Sequence, residues 1–182
     1  MHSLSRILLR WSTAWSLLAA TTVYALFLAT VMPAQSAASR VYAGDWGAPD
    51  RQFHYTADEF YAAVSIWGDA GRAGYIEFRL GLDIVWALAY TAFLVFAIGL
   101  AAKRAFDVSD RRRLLILVPL VTLLLDYGEN ALGIFLVGQY PVRYDAIAAL
   151  AALITAGKWS TLVLSHVVLV IVLALALRRR VR

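Results

Sequence analysis

Cysteine is absent from the 182-residue chain. That removes disulfides, thiolate metal sites and thiol nucleophiles together. It also excludes the small four-helix membrane proteins that exchange disulfides. Charge is scarce as well: Asp, Glu, Lys and Arg make up 16% of residues, against ~25% in a soluble domain. The hydrophobic share is 62% and the mean hydropathy is +0.69. A water-soluble fold of this size could not hide that much apolar surface. An ordinary soluble domain and a disordered chain are therefore excluded. So is a nucleic-acid partner, because the net charge of +5 is placed by topology. What remains is a small integral membrane protein with room for one membrane domain.

Four apolar stretches reach the ~20 residues needed to cross a bilayer. They run over Trp11–Met32, Leu80–Ala102, Leu114–Val137 and Ala148–Leu177. The first follows a basic start at Arg6 and Arg10, as a signal peptide would. Its apolar run is longer than the ~7–15 residues of a signal core, so it is read as a retained helix. Basic residues set the direction. Arg6 and Arg10 precede the first span. Lys103, Arg104, Arg111, Arg112 and Arg113 lie between the second and third. Arg178, Arg179, Arg180 and Arg182 follow the fourth. Eleven of the seventeen Lys and Arg residues thus lie on one side. The positive-inside rule makes both termini cytoplasmic, with anionic lipid headgroups as partners of the clusters.

The external connection from residue 33 to 79 is too long for a structureless loop. Thr56 and Glu59 read as a capping box. Phe60, Val64 and Trp67 recur at helical spacing, and Gly68 stops the run. A short amphipathic helix over Ala57–Trp67 is expected on the membrane surface. Asp69 reads as the cap of a second helix that continues through Tyr75 into the span. Aromatic residues crowd the segment, among them Tyr42, Trp46, Phe53, Tyr55, Tyr61 and Tyr75. They suit an interfacial cap or a lid over a pocket.

Ionisable side chains inside a span cost roughly 2.5–3.5 kcal/mol each on insertion scales and mark function. Asp83, Asp126, Glu129 and Lys158 stand out. Asn130 joins Asp126 and Glu129 on one helix face, because positions i, i+3 and i+4 align. At ~1.5 Å per residue, Asp126 and Glu129 lie ~20 and ~24 Å above the basic end, and Asp83 and Lys158 ~28 Å above it. All fall in the outer half of a ~30 Å hydrocarbon core. Three acids face one lysine, which leaves a second acid unpaired: either it is protonated, because burial penalises the charged form, or Arg72 or Arg79 reaches down to neutralise it. Arg72 and Tyr75 are placed at the rim. The cluster reads as a clamp fixing helix register, as a pocket open to the outer leaflet, or as a proton relay.

Histidine is sparse too. His166 lies near mid-membrane, on roughly the same face as Lys158, either as a packing residue or as an axial ligand to a haem or chlorin. A second intramembrane histidine is missing, since His2 and His54 lie outside the spans. The Glu-x-x-His element of a carboxylate di-metal bundle is missing as well. No cofactor is assigned. There is no G-x-S-x-G, and Ser165 points away from the face of its neighbour His166. Paired membrane carboxylates occur in the four-helix lipoprotein signal peptidases, but their Asn-x-x-Asp-Arg motif is absent here. That likeness is architectural.

A series of short motifs runs over residues 55–160. It comprises Tyr55-Thr56 with Glu59, Gly71-Arg72 with Tyr75, Asp83, Pro119, Asp126-Tyr127-Gly128-Glu129-Asn130, and Thr155 with Lys158-Trp159. Taken together it resembles an uncharacterised bacterial family of four-span membrane proteins. The resemblance implies the fold, and it implies that Lys158 and the Asp126–Asn130 stripe act as one unit. It implies no activity.

The expectation is an all-α bundle of four membrane helices with an external cap. Its function is binding a lipid or small amphiphile in a pocket formed by Asp83, Asp126, Glu129, Asn130 and Lys158, rimmed by Arg72 and Tyr75. Two alternatives stand beside it: a non-catalytic accessory subunit of a larger membrane complex, and an intramembrane hydrolase using carboxylates as acid and base.

Overall fold

Ser12 and Thr13 break the first apolar stretch, because hydroxyl side chains favour helix caps over helix interiors. The computed structural model describes residues 2–43 and 47–181. In it α1 (His2–Trp11) ends before these residues, and α2 (Ala14–Leu26) starts with a reciprocal capping box between Thr13 and Ser16. α1 packs across one end of the bundle, against α6 (Leu82–Ala105) and a 3-10 turn over Arg111–Leu117. Of the residues named above, Trp46 and Arg182, and the side chains of His2, Tyr42 and Arg180, lie outside the described residues.

The first membrane helix is longer than expected. Helix continues past Met32 through α3 (Met32–Ala43). Pro33 has no N–H, which orphans the carbonyl four residues before it. The chain accommodates this with a π turn over Phe27–Val31, where the Met32 N–H donates to the Phe27 carbonyl. The segment expected to connect the first two spans is therefore helical through Ala43.

Four helices are long and apolar enough to cross a membrane: Ala14–Val41, Gly68–Ala105, Arg111–Gly138 and Asp145–Arg179. Helix is the regular secondary structure of the described residues, and the fold is an all-α four-helix bundle of a multi-pass membrane protein. α7 (Val118–Gly138) and α8 (Asp145–Val181) pack along each other, and α6 packs against both. The first helix lies against α6 and is at most marginally in contact with α8. Only 6% of its apolar window is buried, against 50% for the second span, so three helices form the core and the first flanks it.

At one end, basic side chains close the helix termini. Lys103 Nζ donates to the Ser12 carbonyl at 2.8 Å, and Arg113 to the Phe106 carbonyl at 2.8 Å. Arg179 reaches the Ala105 carbonyl and pairs with Asp107 at 2.7 Å. At the other end lies the aromatic cap. The Thr56–Glu59 capping box forms, and α4 runs over Ala57–Ile66. Its inner face buries Phe60, Tyr61, Ala63 and Val64 against Leu136, Val137, Ala148 and Ala151. Gly68, at φ +64°, makes the corner into α5 (Gly68–Leu80). Asp69 does not cap this helix. It lies in the first turn and pairs with Arg72 at 2.5 Å, because Trp67 and Gly68 already serve as the boundary. A second break at Gly81 separates α5 from α6.

Candidate functional site

The break at Gly81 falls between Arg79 and Asp83 and leaves both facing the bundle interior, buried to 2% and 5% exposure. A planar guanidinium offers five donors in a fixed fork, and Arg79 uses them across three segments. Nη1 donates to Asp83 Oδ2 at 2.8 Å and to Asn130 Oδ1 at 2.6 Å. Nη2 pairs with Asp50 Oδ1 at 2.6 Å. Asp50 sits in a short 3-10 turn over Pro49–Arg51, and its carbonyl accepts from Trp159 Nε1 at 3.0 Å. One arginine thus ties the cap, α6 and α7 together, with α8 joined through Trp159.

The second cation, Lys158 on α8, is buried beside the same α7 stripe. It pairs with Glu129, and its Nζ lies 3.8 Å from Asp126 Oδ1. Thr155, one turn earlier, donates to Glu129 Oε1 at 2.7 Å. Tyr90 on α6 donates to Asp126 Oδ2 at 2.6 Å. Every charged member of the cluster has a counter-charge, which offsets part of the cost of removing it from water.

A cavity of about 500 Å³ opens in front of this cluster, within the range of small-ligand pockets. Asp83, Tyr90, Asp126, Lys158 and Arg79 form its polar wall, with Asp50 and Tyr75 toward the cap. Trp86, Phe93 and Leu162 supply the apolar wall, and Met32, Gln35, Ser36 and Ser39 of α3 close the side toward the first helix. An apolar groove continues along α8 past Val163, Val167, Val170 and Ile171, sharing Trp159, Leu162 and His166 with the cavity. The cavity therefore lies where the first and fourth spans fail to pack.

The structure brings Asp83, Asp126, Glu129, Asn130 and Lys158 together. Asp83, Asp126 and Lys158 line the cavity, whereas Glu129 and Asn130 are buried without lining it. Tyr75 also lines it, with the Arg79 guanidinium 5.0 Å from its ring centre. Arg72 does not rim the cavity. It donates to the Val64 carbonyl, pairs with Asp69 and stacks 4.6 Å over the Tyr140 ring. It sits two turns too far out on α5, and Arg79 is the arginine that reaches inward. His166 stands exposed on α8, with Nδ1 2.8 Å from the Leu162 carbonyl. Among the described residues no group of three His, Asp or Glu side chains is arranged to hold a metal ion.

Asp50 escaped the sequence reading because it lies in an irregular segment, where no periodicity points a side chain at the bundle. Burial by itself would raise its carboxyl, but the charges of Arg79 and Lys158 and the Arg79 hydrogen bond outweigh that and hold it below the ordinary aspartate value. Tyr55, beside it in the cap, is pushed up to about 12, first by burial and then by the nearby Glu129 and Asp50 charges. Tyr90 was hidden in an apolar run. Its signal was a phenol two turns from Asp83, where a buried hydroxyl must find a partner. Compared with protein-family models, curated proteins and solved structures, the chain matches none.

Proposed function

We propose that this protein is a binder of a lipid or small amphiphile, which enters sideways between the first and fourth membrane helices. The observation that carries the reading is the joining of a charged cavity to an apolar groove through Trp159, Leu162 and His166. From Trp159 to Ile171 the groove is ~18 Å long at ~1.5 Å per residue, comparable with one leaflet of a ~30 Å core. A headgroup in the cavity and a chain in the groove fit this shape. The proposed setting is a bacterial inner membrane with both termini cytoplasmic, which the eleven basic residues on one side support. The cavity then faces the outer leaflet.

Native mass spectrometry of the full chain from mild detergent tests the reading. Wild type is expected to retain an amphiphile mass, and Leu162→Trp, which narrows the junction of cavity and groove, to lose it. Wild type free of bound amphiphile, even after incubation with membrane lipid extract, would refute it. The sparse burial of the first helix favours a second reading, an accessory subunit whose partner covers that helix. The same spectra would show that partner as a stoichiometric protein mass.

A further inference from the structure

We infer that the group held against the charged wall is a primary ammonium, carried by the amphiphile whose chain lies along α8. This rests on the amphiphile reading above and adds the chemistry of its headgroup.

Charge balance is the first ground. Four carboxylates, Asp50, Asp83, Asp126 and Glu129, meet two cations, Arg79 and Lys158. Arg79 is shared between Asp50 and Asp83, and Lys158 between Glu129 and Asp126. With all four carboxylates ionised, the inner cluster carries more negative than positive charge, and hydrocarbon supplies no counterion to make up the difference.

Geometry is the second. Asp126 is where the shortfall meets open space. It is 4% exposed and lines the cavity. Its Oδ2 accepts from Tyr90, while its Oδ1 has only the Lys158 nitrogen at 3.8 Å, beyond hydrogen-bond distance. That oxygen is open to the cavity and keeps a free acceptor site there. An ammonium supplies one positive charge and three N–H donors, and it satisfies both needs. A phosphate at the same wall would meet Arg79 and Lys158 only where Asp50, Asp83, Asp126 and Glu129 already engage them, and would add to the excess.

The third ground is the mouth. Arg51 is exposed there, with Nη1 3.3 Å from Ser36 Oγ. It leaves a place for the phosphate of a zwitterionic headgroup, which a plain long-chain amine would not need. The shared chemistry is the ammonium, and its source is either a free alkylamine or phosphatidylethanolamine.

Binding of dodecylamine, dodecyl phosphate and dodecanol to the full chain in dodecyl maltoside tests the inference. Dodecylamine is expected to bind at least tenfold more tightly than the other two. Asp126→Asn is expected to erase that preference, and Leu162→Trp to weaken all three probes. Equal binding of the three probes, sensitive to Leu162→Trp, overturns the ammonium and leaves the amphiphile cavity standing. Binding of none, or binding indifferent to Leu162→Trp, overturns both. Where Asp126→Asn does not fold, the wild-type order of probes decides. Nanodiscs of equal phosphatidylethanolamine, phosphatidylcholine and phosphatidylglycerol identify the source. Retained phosphatidylethanolamine assigns the lipid headgroup, since choline has no N–H to donate. No lipid preference beside a dodecylamine preference assigns a free amine. Preferential retention of phosphatidylglycerol overturns the inference.

Discussion

Replacing Lys158 with Met keeps the length of the side chain and removes its charge. Glu129 would then lose its ion pair while keeping the hydrogen bond from Thr155, and Asp126 would lose the one cation near its Oδ1. Lys158 is 7% exposed and Glu129 3%, so little water reaches the pair. Breaking a buried pair from one side costs about 3–5 kcal/mol, because the remaining charge is left uncompensated. Neutralising the partner as well should return part of that. Lys158→Met with Glu129→Gln is expected to be less destabilised than the two single changes sum to, by about 1–2 kcal/mol, within the range found for contacting residues. Equilibrium unfolding in mixed micelles of rising dodecyl sulfate fraction measures all four proteins. A Lys158→Met cost below about 0.5 kcal/mol, typical of surface substitutions, would show that the lysine is hydrated. A strictly additive double variant would show that it does not act through Glu129.

Three further outcomes are expected. Asp50 has its folded pKa below the ordinary aspartate value of 3.8, so its pairing with Arg79 stabilises fully above that value and is lost as pH falls through the lowered one. The stability difference between wild type and Asp50→Asn should be flat above about pH 5 and shrink below about pH 4, read by thermal unfolding against pH; a difference that grows on acidification would contradict the assignment. A Cβ at Gly133 would run into the Tyr75 hydroxyl, so Gly133→Ala should cost about 1–3 kcal/mol by overpacking. In that background Tyr75→Phe should recover part of the loss, and no recovery would place the strain elsewhere. Thr56→Ala removes the cap of α4 and should cost about 0.5–2 kcal/mol. Faster proteolysis within residues 47–67, with the membrane helices intact, would be the readout, and unchanged protection would mean that burial of Phe60 and Val64 alone holds the cap.

Local chemistry made much of this architecture readable. The Thr56 and Glu59 side chains specify the start of α4 because the capping box is closed within four residues. The Asp126, Glu129 and Asn130 stripe follows from helical spacing, and Lys158 lay at a depth where it had to find acids. Other features left no such mark in the residue pattern. The first helix ran on past Pro33 because a π turn absorbed the missing N–H. Arg79 rather than Arg72 reached the acids because it lies two turns further along α5, next to Asp83 and Asn130. Asp50 joined through a loop whose path no periodicity records.

By itself, then, the sequence determined the solvent. Hydrophobic runs, the shortage of charge and the distribution of arginines are one-dimensional quantities, and crossing a bilayer depends on them directly. Which buried charges meet is a different matter. The Arg79–Asn130 bond joins residues 51 positions apart, and the bond from Trp159 to Asp50 spans 109. Those pairings, and the cavity left where the first helix does not close on α8, follow from how the helices pack against one another. Only the tertiary structure decided them.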